Sequence, residues 1–241
     1  MLENKLSRDD ALKEQYQNFM TEYETLGHMQ LVTDHEHSLT LCYHLPHHAV
    51  VRDDSTTTKV RVVYDASCKT PGGPSLYDAL MVGPIVQQDL RSIMMRTRTR
   101  PIMMIADIKQ IYRQILMDER DTPLQRIVRR TTRDAPMQTF ELIAVTYGKA
   151  SAPYLATRVL KELANDECEH FPQAAAVLIT DFYVDDLCSG TTTVEEAIQL
   201  RTQLDALLRK GGFELRKWAS NEPQVLEENR VLLSTVDLNC T

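Results

Sequence analysis

The chain has 241 residues, of which 43% are hydrophobic and 25% charged, enough apolar material to bury a core as one domain or two closely packed subdomains. No run approaches the ~18 consecutive apolar residues of a membrane span, and Met1-Leu2-Glu3-Asn4-Lys5 has no apolar stretch of the signal-peptide kind. Five cysteines (Cys42, Cys68, Cys168, Cys188, Cys240), odd in number and without a CxxC pair, suit reduced thiols in an intracellular compartment and argue against a disulfide scaffold or zinc ribbon. The net charge of −7 weighs against nucleic acid as a partner of the whole surface, but it is unevenly spread. Residues 1–40 carry 8 acids and 3 bases, residues 162–241 carry 15 and 6, and the stretch from Arg91 to Arg133 reverses this with 11 bases and 4 acids. Such a basic band could follow a phosphate backbone, or it could be a solvated charged face.

Residues 3–26 read as one amphipathic helix, with Leu6, Leu12, Tyr16, Phe19, Met20 and Tyr23 on its apolar side. His28 to Val50 is irregular and holds six of the seven histidines (His28, His35, His37, His44, His47, His48), at spacings that match no familiar metal-ligand pattern. The cluster Asp53-Asp54-Ser55-Thr56-Thr57-Thr58 predicts a turn between two strands, His48–Arg52 and Lys59–Tyr64. Pro71-Gly72-Gly73-Pro74 predicts a loop, and a helical run follows near Pro84–Thr97.

Ile102-Met103-Met104-Ile105-Ala106 is a short continuous apolar run ending in Asp107, the pattern of a buried central strand with a carboxylate at its tip. Leu124–Arg130 and Gln138–Tyr147 predict a hairpin around Arg133-Asp134-Ala135-Pro136. Ser151 is placed to cap a helix whose first turn accepts Pro153. Val177–Tyr183 reads as a second apolar strand, followed by Asp185-Asp186 in the turn of a hairpin that returns through Leu187-Cys188. Thr192-x-x-Glu195 predicts a capping box for a helix to Lys210, stopped by Gly211-Gly212, and Phe213–Arg216 alternates as a last strand. In order this is strand, helix, strand–turn–strand, helix, strand: an α+β, ferredoxin-like antiparallel sheet with helices on one face and a hairpin inserted after the first strand.

In that topology the first and third strands lie side by side, so Asp107 and Asp185-Asp186, about 80 residues apart in sequence, converge on one sheet edge. Like charges so placed favour a hard divalent cation, Mg²⁺ above all, as their counterion. Two such ions clamp the attacking and leaving oxygens of a phosphoryl displacement.

Tyr183-Val184-Asp185-Asp186 resembles the YxDD box of reverse transcriptases, Asp107-x-x-x-x-Tyr112-x-Gln114-Ile115 resembles their first catalytic motif, and Gly148-x-x-Ser151-Ala152-Pro153 resembles the loop-to-helix motif between the two. Lys59–Asp65 is similar to the fingers strand whose basic residues meet the triphosphate. Leu45-Pro46-His47-His48-Ala49-Val50, Tyr64-Asp65-Ala66-Ser67, Ala106-Asp107-Ile108 and Arg216-Lys217-Trp218-Ala219-Ser220-Asn221 resemble in particular the Pao/BEL class of long-terminal-repeat retrotransposons.

The resemblance implies a right-hand polymerase fold: a lead-in over 1–44, fingers over 45–106, and a palm over 107–241 carrying an inserted fingers hairpin at about 116–147. Thumb and RNase H portions of the polyprotein are expected to lie outside the chain. It further implies an RNA-directed DNA polymerase with two Mg²⁺ (or Mn²⁺), held by Asp107, Asp185, Asp186 and the Ile108 carbonyl. The partners it implies are RNA or DNA template with primer, and deoxynucleoside triphosphates, in a cytoplasmic virus-like particle with no membrane contact. Lys59 and Arg61 would neutralise the triphosphate, Tyr112 would exclude a ribose 2′-hydroxyl, and Tyr147 and Gly148 would lie against the nucleotide. Tyr183 and Val184 would meet the primer end, and Lys217 could supply a proton to pyrophosphate. Two departures stand out: Lys109-Gln110 replaces the Glu-Lys of relatives, and Tyr147 stands where retroviral enzymes carry Gln. Two rival readings remain: a catalytically incomplete or co-opted fragment that only binds nucleic acid or partners, and a nucleotide cyclase with a similar carboxylate pair.

Overall fold

The computed structural model describes residues 2–33, 41–51, 60–132 and 134–229. Lys59, the turn cluster at 53–58, His35, His37, Arg133 and Cys240 lie outside them. In chain order the elements are α1 (Leu2–Leu6), α2 (Asp10–Thr25), β1 (Met29–Leu31), β2 (His47–Val51), β3 (Val60–Tyr64), α3 (Leu76–Ala79), α4 (Leu90–Arg98), β4 (Ile102–Ile108), β5 (Arg126–Arg129), β6 (Gln138–Leu142), α5 (Ala152–Glu167), α6 (Pro172–Thr180), β7 (Phe182–Tyr183), β8 (Asp186–Thr191), α7 (Val194–Lys210) and β9 (Leu215–Ser220). They form two compact units: Met1–Val82 with Ile115–Ala152, and Gly83–Gln114 with Pro153–Thr241. No helix among the described residues is long and apolar enough to cross a membrane.

The first unit is built on α2. Leu12, Tyr16, Phe19, Met20 and Tyr23 recur at helical spacing and are all buried. They share a core with Ala49, Val60, Val62 and Tyr64 of the β2–β3 hairpin and with Ile127, Phe140 and Leu142 of β5 and β6. The single helix expected over 3–26 is broken at Ser7-Arg8-Asp9, because the Asp9 side chain accepts the Leu12 N–H (2.9 Å) and caps a new helix. β1, β6 and β5 form a three-stranded antiparallel sheet, and β2 pairs β3 with Val50 opposite Arg61. A buried ion pair, Arg126 with Glu141 (2.6 Å), ties β5 to β6.

The second unit carries a four-stranded antiparallel sheet in the order β7-β8-β4-β9. With α5 and α6 before the β7–β8 hairpin and α7 before β9, this is the β-α-β-β-α-β order expected. Alternation divides the sheet faces. Met104, Ala106 and Ile108 of β4 and Leu187, Ser189 and Thr191 of β8 are buried, whereas Asp107 and its cross-strand partner Asp186 lie on the more open face. The expected strand over Val177–Tyr183 is corrected to a helix plus a two-residue strand. Pro172 opens α6 at its first turn, the Ala-rich run sustains it, and Ala174, Ala175 and Leu178 are buried. Periodicity alone does not separate a short apolar strand from a buried helix. The capping box of α7 also sits one residue later than expected, on Thr193 and Glu196.

Candidate active site

Asp107, near the end of the central strand β4, stands directly opposite Asp186, the first residue of β8. Tyr183 pairs with Asp186, so Val184 and Asp185 make a two-residue hairpin turn. Val184 has φ +56°, the positive sign that primed hairpin turns require at their first central residue. A β-branched residue there is strained. The turn is held: Ile108 N–H donates to the Asp185 carbonyl (2.8 Å), and Val184 N–H donates to Gln87 Oε1 (2.9 Å). Topology and register thus bring the three carboxylates of the sequence reading to one place.

Burial raises the Asp185 carboxyl above the usual range, and the like charges of Asp186 and Asp107 push the same way. Asp186 is also raised, by burial and then by Asp107, with Lys217 opposing. Both carboxyls are therefore harder to ionise than an ordinary one, with Lys217 opposing the shift in each. Asp107 is differently placed, because its Oδ2 receives Lys217 Nζ at 2.7 Å and lies 3.3 Å from Arg216 Nη2. A bulge makes both contacts possible. Ile105 pairs with Ala219 and Asp107 with Arg216, so Lys217 and Trp218 together oppose Ala106. Lys217 takes φ +54°, and its side chain turns toward the carboxylate.

Among the described residues no group of three or more His, Cys, Asp or Glu side chains is gathered as a ready-made metal cage. The donor set nonetheless fits a hard divalent cation: oxygen ligands only, two carboxyls raised by burial and neighbouring like charge, and an ammonium already drawn to Asp107.

Tyr112 lies on the single turn Ile111–Gln114, half-buried, its hydroxyl pKa raised by burial and by the nearby Asp185. Tyr183 is 38% exposed. Lys109 is drawn to Glu214 (2.8 Å). In the first unit Arg61 is exposed on β3 between buried Val60 and Val62. Tyr147 there donates its hydroxyl to the Val62 carbonyl, and its ring tilts against Tyr64 at 5.8 Å. Gly148 has φ +89°, and a Cβ on it would stand 2.5 Å from the Tyr64 carbonyl oxygen. The close approach that requires glycine is thus made to the chain's own β3.

Part of the basic band is spent internally. Arg96 pairs with Asp181, Arg120 with Asp118, Arg126 with Glu141 and Arg130 with Glu3. Sequence reasoning missed Gln87 and Arg216 as neighbours of the carboxylates. Gln87 has no motif signal. Arg216 belongs to the Arg216–Asn221 stretch, but only the bulge shows its direction.

No family model matches the chain, and no match is found among the curated proteins. Among solved structures, the foamy viral protease-reverse transcriptase dRH, in complex with double-stranded DNA, is similar with a TM-score of 0.62 and 15% identity. The match covers 84% of this chain and 30% of that one, so the chain spans less than a third of its neighbour's length. The chain therefore has a mixed α+β fold with antiparallel sheets, like the fingers and palm of a reverse transcriptase.

Proposed function

We propose that the chain is the polymerase core of an RNA-directed DNA polymerase, from a long-terminal-repeat retrotransposon of the Pao/BEL type. The observation that carries this reading is the placement of Asp107 opposite Asp186 on adjacent central strands, with Asp185 in the β7–β8 hairpin turn. Asp107, Asp185 and the Ile108 carbonyl would hold two Mg²⁺ or Mn²⁺, with Asp186 beside them. When bound, the ions would supply positive charge to a transferring phosphoryl group and acidify a primer 3′-hydroxyl. The chain's own residues would do the rest. Tyr112, half-buried near Asp185, would place a ring under the incoming sugar and select deoxynucleotides. Tyr183 and Val184 would meet the primer end, and Lys217, reaching the open sheet face across the bulge, could hold a proton for the leaving pyrophosphate. Arg61, with Lys59, would meet the triphosphate as charge partners, and Tyr147 and Gly148 would lie near the nucleotide. Template with primer, deoxynucleoside triphosphates and the polyprotein's thumb and RNase H portions are the proposed partners, and a cytoplasmic particle the proposed location.

The test is primer extension on an oligo(dT)-primed RNA template with Mg²⁺ or Mn²⁺, by the chain alone and by a version extended through a thumb. Asp185→Asn is expected to abolish incorporation. Activity that survives it overturns the carboxylate assignment.

One observation favours a second reading. Lys217 and Arg216 already neutralise Asp107, an arrangement that also suits a co-opted fragment in which an ammonium has replaced the cation. Absence of incorporation and of Mn²⁺ binding by both versions would decide for it.

A further inference from the structure

We infer that Gln87 is a positioning residue for the carboxylates, holding the Val184-Asp185 turn through the Val184 amide. This rests on the polymerase reading of the same site. Val184 sits in the left-handed region at φ +56°, a conformation that a β-branched residue keeps only if its surroundings impose it. Two bonds hold the turn: Gln87 Oε1 accepts the Val184 N–H at 2.9 Å, and Asp185 O accepts the Ile108 N–H at 2.8 Å. The second belongs to the strand ladder's end, whereas the first comes from a side chain 97 residues away in sequence.

Gln87 is itself on a firm support. Two residues later Asp89 caps α4, accepting from Arg91 N–H and Ser92 N–H, both at 3.1 Å. α4 is then tied to the root of the same hairpin. Arg96 Nη2 donates to Asp181 Oδ1 (3.1 Å), and Thr97 Oγ1 donates to the Cys188 carbonyl (2.8 Å). Ser189 Oγ donates to Asp181 Oδ2 (2.7 Å), and Cys188 N–H to the Asp181 carbonyl (2.9 Å). Thus α4 and its lead-in brace the β7–β8 hairpin at base and tip, and Gln87 is the tip contact. Gln87 is a ligand of neither substrate nor metal. It acts by fixing where Asp185 points relative to Asp107.

The experiment uses the 241-residue chain labelled with ¹⁵N-valine, in the original sequence, Gln87→Leu, Val184→Gly and the double variant. Val184 amide exchange is read by NMR without metal or substrate, and Mn²⁺ affinity by electron paramagnetic resonance. Protection of the Val184 amide is expected in the original sequence and its loss in Gln87→Leu. Mn²⁺ affinity is expected to fall about fivefold in Gln87→Leu, the size of one hydrogen bond. It is expected to fall less than about twofold when the same change is made on Val184→Gly, where glycine removes the strain. An unprotected Val184 amide in the original sequence overturns the brace. An equal loss of affinity in both backgrounds overturns its positioning role, because a merely structural loss would add. Absence of Mn²⁺ binding by the original chain, with the amide protected, overturns the polymerase reading and the positioning role, and leaves the bond a structural one.

Discussion

Lys217→Met should tighten divalent-metal binding while slowing nucleotide incorporation. Lys217 Nζ lies 2.7 Å from Asp107 Oδ2, so a cation approaching Asp107 must displace or coexist with an ammonium. At that separation the Coulomb attraction in a water-like dielectric is about 1.5 kcal/mol. The lysine side chain is 55% exposed and that of Asp107 15%, so screening and lost rotamer freedom reduce the net to about 0.5–1 kcal/mol. Methionine keeps the length of the stem and removes the charge. Arg216, 3.3 Å from the same oxygen, stays as a partial counterion and limits the gain. A net of about 0.5–1 kcal/mol corresponds to about two- to fivefold tighter Mn²⁺ binding. The assay is titration of the free chain with Mn²⁺, followed by electron paramagnetic resonance and repeated at high salt, where the difference should shrink. Incorporation, measured in parallel at saturating metal, should fall if Lys217 holds the proton for pyrophosphate. Metal affinity that is unchanged or weaker in the variant would refute the view of Lys217 as a competitor for Asp107.

Three further outcomes follow from the same geometry. Burial, with the charges of Arg129 and His48, lowers the His47 pKa to about 4, and its Nε2 meets the Tyr16 hydroxyl at 2.7 Å. An unfolded chain takes up this proton below pH ~6.5 and the folded chain only near 4. Stability is therefore lost as pH falls through that window, by up to about 2 kcal/mol at pH 5. His47→Gln should flatten the pH dependence of the urea midpoint, and an unchanged slope would sink the assignment. Gly148→Ala should cost about 1–3 kcal/mol, read as a lower thermal midpoint without nucleotide, because its Cβ would meet the Tyr64 carbonyl at positive φ. An unaltered midpoint would mean that the glycine serves only the nucleotide. Tyr112→Ala should admit ribonucleotides in primer extension, and unchanged sugar selectivity would remove it as the gate.

Much of the palm-like unit was legible because its signals are local. An apolar run ending in a carboxylate marked β4, Pro and Gly punctuated the loops, and Thr and Glu at capping spacing announced α7 to within one residue. The error at 177–183 has a local cause too. A continuous apolar run carries no period, and Ala-rich sequence after Pro172 settles into a helix once its face is buried. The long first helix failed for the opposite reason, since one capping aspartate outweighed a continuous apolar stripe.

The carboxylate site shows where the two sources of information part. By itself the sequence determined the residue types, the apolar strand ending in Asp107 and a hairpin carrying Asp185 and Asp186, although it put both aspartates in the turn and the structure keeps only Asp185 there. Chain propensity and hydrophobic pattern operate over a few neighbours and suffice for that. Only the tertiary structure decided that Lys217 and Arg216 both face Asp107, that Gln87 holds the Val184 amide, and that part of the basic band is spent on partners such as Glu3, 127 residues from Arg130. Those contacts depend on a bulge, on strand register and on helices folded back over long separations, and no local pattern encodes where such distant side chains meet.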